Sequence, residues 1–246
     1  MNHCDTTSRW GVAPVLVAAV IGIFAGCAGA TSVTADDDAG APPADEAGSP
    51  TAAEAGDAPA EGGRPGPRSA PAEGGTVGTV DSVAAATFTM TTAAGQKVTV
   101  NETASTTYSN GTSPTDASAV TAGEQVLVLG IVSSTTIAGT QVTVQPNDGG
   151  GAAASAAAGV VPFQQGAPST AKQDGQIPAN YTEGQGTIVS GTTADQATEA
   201  ALAAYPGVVV DRVVQLSSGE YEVHCIGVNW PHHVFVDQKI TVVGAN

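Results

Sequence analysis

From Thr76 to Pro146 the chain alternates Thr and other polar residues with Val, Ile, Phe and Met, in short runs separated by turn formers. Side chains two apart share one face of a strand, so period-two alternation of β-branched residues reads as strands. The runs are Thr76–Val83, Thr87–Thr92, Gln96–Asn101, Ala104–Tyr108, Gln125–Ser133 and Thr136–Gln145, with Ala94-Gly95 closing a hairpin. Five or six short strands in about 70 residues predict a small closed or nearly closed all-β barrel over 76–146. Its expected interior is Val77, Val80, Val83, Phe88, Met90, Val98, Val100, Val126, Val128, Ile131, Ile137, Val142 and Val144.

A second folded unit is expected over 186–246. Thr192 or Thr193 can cap a helix that runs to about Ala204, with Asp195 in its first turn favouring the positive end of the dipole. Ala194, Ala197, Ala201, Leu202 and Tyr205 share one side of it, and Pro206-Gly207 stops it. Three strands follow: Val208–Leu216, Glu220–Ile226 and His233–Val243. One helix over a three-stranded antiparallel sheet makes a small α+β layer. Residues 147–185 read as a linker, Gly/Ala-rich and then polar with prolines, whose apolar patch Val160-Val161-Pro162-Phe163 is placed to dock on a neighbour. The expected fold class is therefore multidomain: a small all-β barrel plus a small α+β domain, joined by disordered linkers.

The first unit resembles an uncharacterised bacterial family, domain of unknown function 5666. The resemblance lies in Gly78-Thr79-Val80, Phe88-Thr89-Met90, Gly95–Val100, Gly123–Gly130 and the strand Thr136–Val144. It implies a small β-barrel outside the cytoplasm and no known activity. The second unit resembles a PepSY-type domain through Ala197-x-x-Ala200-Ala201-Leu202, Tyr205-Pro206-Gly207, Val213, Gly219–His224, Val234–Asp237 and Ile240–Gly244. That resemblance implies binding or inhibition of a protein partner, such as a peptidase, and supplies no catalytic residue.

Upstream, an apolar run from Trp10 ends in Phe24-Ala25-Gly26-Cys27. A polar start with Arg9, an apolar core and small residues before the cut are the parts of a secretory signal. The small-small-Cys ending resembles a bacterial lipobox, with Phe24 where leucine is usual. This implies a signal peptide over 1–26, lipidation of Cys27, and a lipoprotein held on the extracytoplasmic side of the cell membrane. The other reading is an uncleaved span from Val12 to Ala30. Either way the remainder faces outward, with Arg9 inside. Residues 27–75 read as an acidic, disordered tether. Thr31–Gly75 has no aromatic, Leu or Ile and carries nine acids against Arg64 and Arg68, so it buries too little apolar surface to offset its ordering entropy. Asp36-Asp37-Asp38 within it reads as solvated linker, since a calcium loop needs spaced oxygens and a fixed turn.

Charge narrows the partners. The net charge is −16, with seven Lys and Arg against 23 Asp and Glu. Nucleic acid needs a basic face and is excluded as a partner. An anionic membrane surface repels such a chain, so the lipid must do the holding. Cys4 and Cys27 belong to the leader region, which leaves Cys225 without a disulfide partner and no CxxC pair.

The candidate chemistry is sparse. A last hairpin turning through Gly227–Trp230 would set His224 and His233 opposite each other on one sheet face, with Cys225 and His232 on the other. His224, His233 and Cys225 are thus the candidate metal ligands, for zinc or copper. Against this, a cysteine on a core-facing strand serves as a small apolar filler, and spacing places no third and fourth ligand. No GxSxG or HExxH occurs, and a Cys225–His232 dyad has no orienting group, so no catalytic residue and no cofactor is assigned. The sequence reads as a non-enzymatic envelope lipoprotein that binds or restrains a protein or peptide partner, its exposed strand edges being the expected acceptors. A transition-metal role for the His224/His233 face, or an unrecognised hydrolase, are the other readings.

Overall fold

Thirteen consecutive residues of one strand decide how everything else is arranged. In the computed structural model, which describes residues 70–146, 151–168 and 170–246, this strand is β1 (Ala72–Ala84). The leader, Cys27 and nearly all of the expected tether lie outside the described residues. The next strands are β2 (Thr87–Thr92), β3 (Lys97–Asn101), β4 (Thr107–Asn110), β5 (Ser113–Thr115), β6 (Gln125–Ser133) and β7 (Thr136–Gln145). After them come α1 (Gly151–Ala157), β8 (Val161–Pro162), β9 (Asp174–Gly175), β10 (Thr187–Ile188) and α2 (Thr192–Ala204). The chain ends with β11 (Val209–Gln215), β12 (Tyr221–Ile226), β13 (Val228–Trp230), β14 (His233–Val236) and β15 (Val242–Ala245).

Along one edge β1 pairs β6 from Ala72 to Thr79. Along the other it pairs β11 at Gly75 and Thr76, then β2 from Gly78 to Ala84. Ladders run from β1 through β2, β3, β7 and β6 back to β1, with β3 and β7 parallel and the rest antiparallel. They surround a core of Phe88, Met90, Val98, Val100, Val126, Val128, Ile137 and Val142. The freestanding closed barrel expected from the sequence is not what forms. β4 and β5 continue beyond β7, and β1 leads through β11 into β12, β14 and β15, so thirteen strands make one sheet. The described residues all belong to one compact unit, Ala58–Asn246.

The junction explains why Glu73-Gly74-Gly75, expected as tether, is strand instead. A Cβ on Gly74 would run into the Val210 carbonyl, and one on Gly75 into that of Val128. Glycine is needed for backbones to approach this closely. Beside them, buried Thr76 donates its hydroxyl to the Val208 carbonyl at 2.8 Å.

Three expected interior positions depart from the pattern. Val83 is 47% exposed although the register shift between Val80 and Ser82 sets it opposite buried Phe88. Ile131 is 38% exposed because strand alternation sets it on the face of β6 opposite Val126, Val128 and Val132. Val77 packs instead against the second core, under α2.

That second core holds Ala194, Ala197, Ala201 and Leu202 of α2 against Val213, Val223, Val234 and Val236 of the sheet, as the helical spacing predicts. Leu127 and Leu129 of β6 belong to it too. The helix starts at Gly191 rather than on a threonine cap, and the Gly191 amide is held by the Glu73 carboxylate. An acid there suits the helix dipole. The third C-terminal strand expected over His233–Val243 is a hairpin of β14 and β15, because the Asp237 carboxylate accepts from the amides of Lys239 and Thr241 and folds the chain back.

The stretch expected as linker is largely packed. Ser155 of α1 and Val160 are buried, β8 pairs β13, and β9 pairs β15, although Phe163 stays exposed. Trp230 anchors it, donating its indole N–H to the Lys172 carbonyl at 2.8 Å while the Lys172 ammonium lies 3.8 Å from the ring centroid. Among the described residues no helix is long and apolar enough to cross a membrane.

Because β1 is shared, the halves should melt together. Thr76→Val leaves the buried Val208 carbonyl without its donor and should cost about 1–3 kcal/mol. Denaturation followed by tryptophan fluorescence and by far-UV circular dichroism should give coincident curves in both proteins. Two separated transitions would refute the shared-strand architecture.

Candidate functional site

The face of the C-terminal sheet turned away from α2 carries a row of polar side chains that the strand register lines up. Arg212 on β11, His224 on β12 and His233 on β14 are successive cross-strand partners. A register shift between Val210 and Arg212 makes Asp211 the extra residue of a bulge, and bulges re-aim side chains. The Asp211 carboxylate, mostly buried, faces His224 Nδ1 at 2.5 Å and accepts from Arg212 Nη2 at 2.7 Å. Burial pushes the Asp211 carboxyl up, but hydrogen bonds from His224 and Arg212 outweigh that and hold it below its ordinary value.

The row continues across β14. His233, buried, sets Nδ1 3.0 Å from Asn246 Oδ1 and Nε2 3.5 Å from Glu222 Oε1. Glu222 is 1% exposed and accepts the Tyr181 hydroxyl at 3.3 Å. Tyr181 comes from the segment expected as linker and packs edge-on to Phe235, with ring centroids 4.7 Å apart. The rings of His224 and His233 lie 5.3 Å apart. Burial, then the neighbouring His224, pulls His233 below the usual imidazole value, against the opposing pull of Asn246 and Glu183. A cleft of about 470 Å³ opens on this row, lined by Lys172, Glu183, His224, His232, His233 and Asn246.

Of the residues singled out from sequence, His224 and His233 are brought together as expected. Cys225 is not with them. It is fully buried in the core under α2, and burial pushes its thiol up, which keeps it protonated and unreactive. His232 was expected on the Cys225 face but lines the cleft, because it precedes β14 and strand alternation does not reach it. Cys27 lies outside the described residues. Asp211, Glu222, Tyr181 and Asn246 were missed. Two of them left a signal: Asp211 interrupts a valine run, and Glu222 sits two residues from His224 on the same face. Among the described residues, no three His, Cys, Asp or Glu side chains converge as they stand to hold a metal ion.

A second concavity lies where α2 meets the strands. This groove of about 700 Å³ has Val77, Leu127 and Leu202 on its floor, Gln125 and Gln141 on its rim, and Glu199 at its side. Burial, then nearby Asp195, pushes the Glu199 carboxyl up. The strand edges expected as peptide acceptors are blunted. At one end β5 is three residues long and contains Pro114, which has no amide to donate. At the other, β9 covers β15, and Gln176 N–H donates to the Val243 carbonyl at 2.8 Å.

Compared with family models, with curated proteins and with solved structures, the chain matches none.

Breaking the buried charge row is costly. Asp211→Asn strands Arg212 and should destabilise the fold by about 3–5 kcal/mol at pH 7. A carboxyl held below its unfolded value of 3.8 stabilises the fold above that pH and loses the effect as pH falls from there through its lowered folded value. Melting curves should therefore separate wild type from Asp211→Asn at neutral pH and draw them together below about pH 3.8. A constant gap at all pH values would show that the carboxylate charge is not what matters.

Proposed function

We propose that the chain is a lipid-anchored, exported envelope protein that acts as a non-enzymatic binding module for a protein or peptide partner. The anchoring half rests on Phe24-Ala25-Gly26-Cys27 and the apolar run before it, which support cleavage before Cys27 and its acylation. Acyl chains contribute about 0.8 kcal/mol per buried methylene, so two or more give lasting attachment against the repulsion of an acidic chain. The resemblances of the two halves to exported domains without catalytic residues support the same reading, as does the acidic composition of Thr31–Gly75.

The observation that carries the binding half is the groove between α2 and the strands. Apolar side chains make its floor, and the rim glutamines offer both amide donors and carbonyl acceptors. That combination suits an extended backbone, whose own N–H and C=O groups need partners once water is displaced. Glu199 and the net charge of −16 favour a segment bearing Lys or Arg. A segment from an envelope peptidase, held without being cut, fits this description.

The test is site-specific photocrosslinking of the full chain in a bacterial envelope. A photoreactive residue at Gln141 should trap one envelope protein, while the same residue at Thr89, on the other side of β1, should not. Gln141→Arg should weaken the interaction at least tenfold, and Cys27→Ala should abolish it by releasing the chain from the membrane. Equal crosslinking from both positions, or none, would remove the groove reading. Recovery of an unacylated chain with residues 1–26 still attached would remove the anchor.

A further inference from the structure

We propose that His233 and Glu222, with His224 beside them, bind a divalent transition-metal ion of the zinc class next to the histidine-lined cleft. This rests on the polar row alone and is independent of the groove. Asn246 Oδ1 can only accept, so the 3.0 Å contact places the proton of a neutral His233 on Nδ1 and leaves a lone pair on Nε2. That nitrogen is buried and has no hydrogen-bond partner among the described residues. What it faces is the carboxylate oxygen of Glu222 at 3.5 Å. Two acceptors turned toward each other repel, and a cation between them converts the repulsion into two bonds.

The spacing suits the ion. Zinc binds imidazole nitrogen and carboxylate oxygen at about 2.1 Å, and adjacent ligand atoms of a tetrahedron of that size lie about 3.4 Å apart. The His233–Glu222 separation of 3.5 Å is close to that edge. His224 supplies the next imidazole. It stands directly opposite His233, and its Nδ1 contact to the Asp211 carboxylate fixes the tautomer and raises the basicity of Nε2. Asp211 and Asn246 thus occupy the supporting positions that metal-binding histidines require. Calcium and magnesium are disfavoured by so few oxygens, and copper(I) by the placement of Cys225 on the opposite face. The three side chains do not yet converge, so the His224 ring must move to join, and the affinity is correspondingly below that of a closed four-ligand site.

The experiment uses the full chain in detergent, carrying Cys4→Ser and Cys27→Ser so that leader thiols do not compete, and zinc chloride as the probe. Zinc should raise the melting temperature by roughly 3–6 °C at ten times the dissociation constant. His224→Gln and Glu222→Gln should each weaken binding at least tenfold by calorimetry, while His232→Gln should leave it unchanged. Cobalt(II) added to the same chain with no further substitution should give the intense visible bands of a tetrahedral site, a readout that survives if a variant fails to fold. Zinc without effect on melting, a cobalt spectrum like that of the free ion, or affinity retained in His224→Gln or Glu222→Gln would each overturn the proposal. So would loss of binding in His232→Gln.

Discussion

Everything in the described fold depends on β1 hydrogen bonding to three strands at once. A strand has two edges, so three partners are possible only if one edge is divided along its length. Here β11 takes Gly75 and Thr76, and β2 takes Gly78 onward. The division requires glycines where backbones crowd, and a threonine whose hydroxyl serves the Val208 carbonyl. Because one continuous sheet links the two cores, neither can open without exposing the ladder of the other. The groove between α2 and the barrel-like strands follows from this junction.

The same junction explains where sequence reading succeeds and where it stops. Period-two alternation locates β2, β3 and β7, and helical spacing locates α2 to its last residue, because in each of these one face is buried and the other is not. β6 is different. Val126 and Val128 enter one core while Leu127 and Leu129 enter the other, so the run Val126-Leu127-Val128-Leu129 has no polar face. An unbroken apolar run in a strand is the sign of burial on both sides. Read with that rule, β6 announces that something must cover the outside of the barrel-like strands. Val208-Val209-Val210 says the same from the other half, Val209 facing one core and its neighbours the other. Separate domains cannot satisfy either run.

The site was legible only as far as strand register reaches. His224 and His233 pair because eight residues separate them around a turn, and a sequence shows that. Asp211 enters the row through a bulge, which adds one residue to one strand and leaves no periodic trace. Tyr181 and Asn246 arrive from a loop-rich segment and from the chain end, at separations no local pattern encodes. Glycine-and-alanine composition misled in the same way over 151–160: it describes backbone freedom, yet α1 and Val160 are held by contacts supplied from elsewhere.

Stability alone does not account for a row in which Asp211, His233 and Glu222 are buried and Arg212 and His224 half-buried. Removing charges from water costs several kcal/mol per ion, and apolar side chains of similar volume commonly serve a core as well or better. The other face of these same strands shows that valine packs here without difficulty. A chain that places Val at 213, 223 and 234 on one side and charged or titratable groups at 212, 222, 224 and 233 on the other is retaining something that burial does not reward. The bulge at Asp211 points the same way, since it interrupts the β11–β12 register at the position that delivers a carboxylate to His224. Arg212 and Asp211 neutralise each other at one end of the row, and at the other end the Nε2 of His233 faces the Glu222 carboxylate.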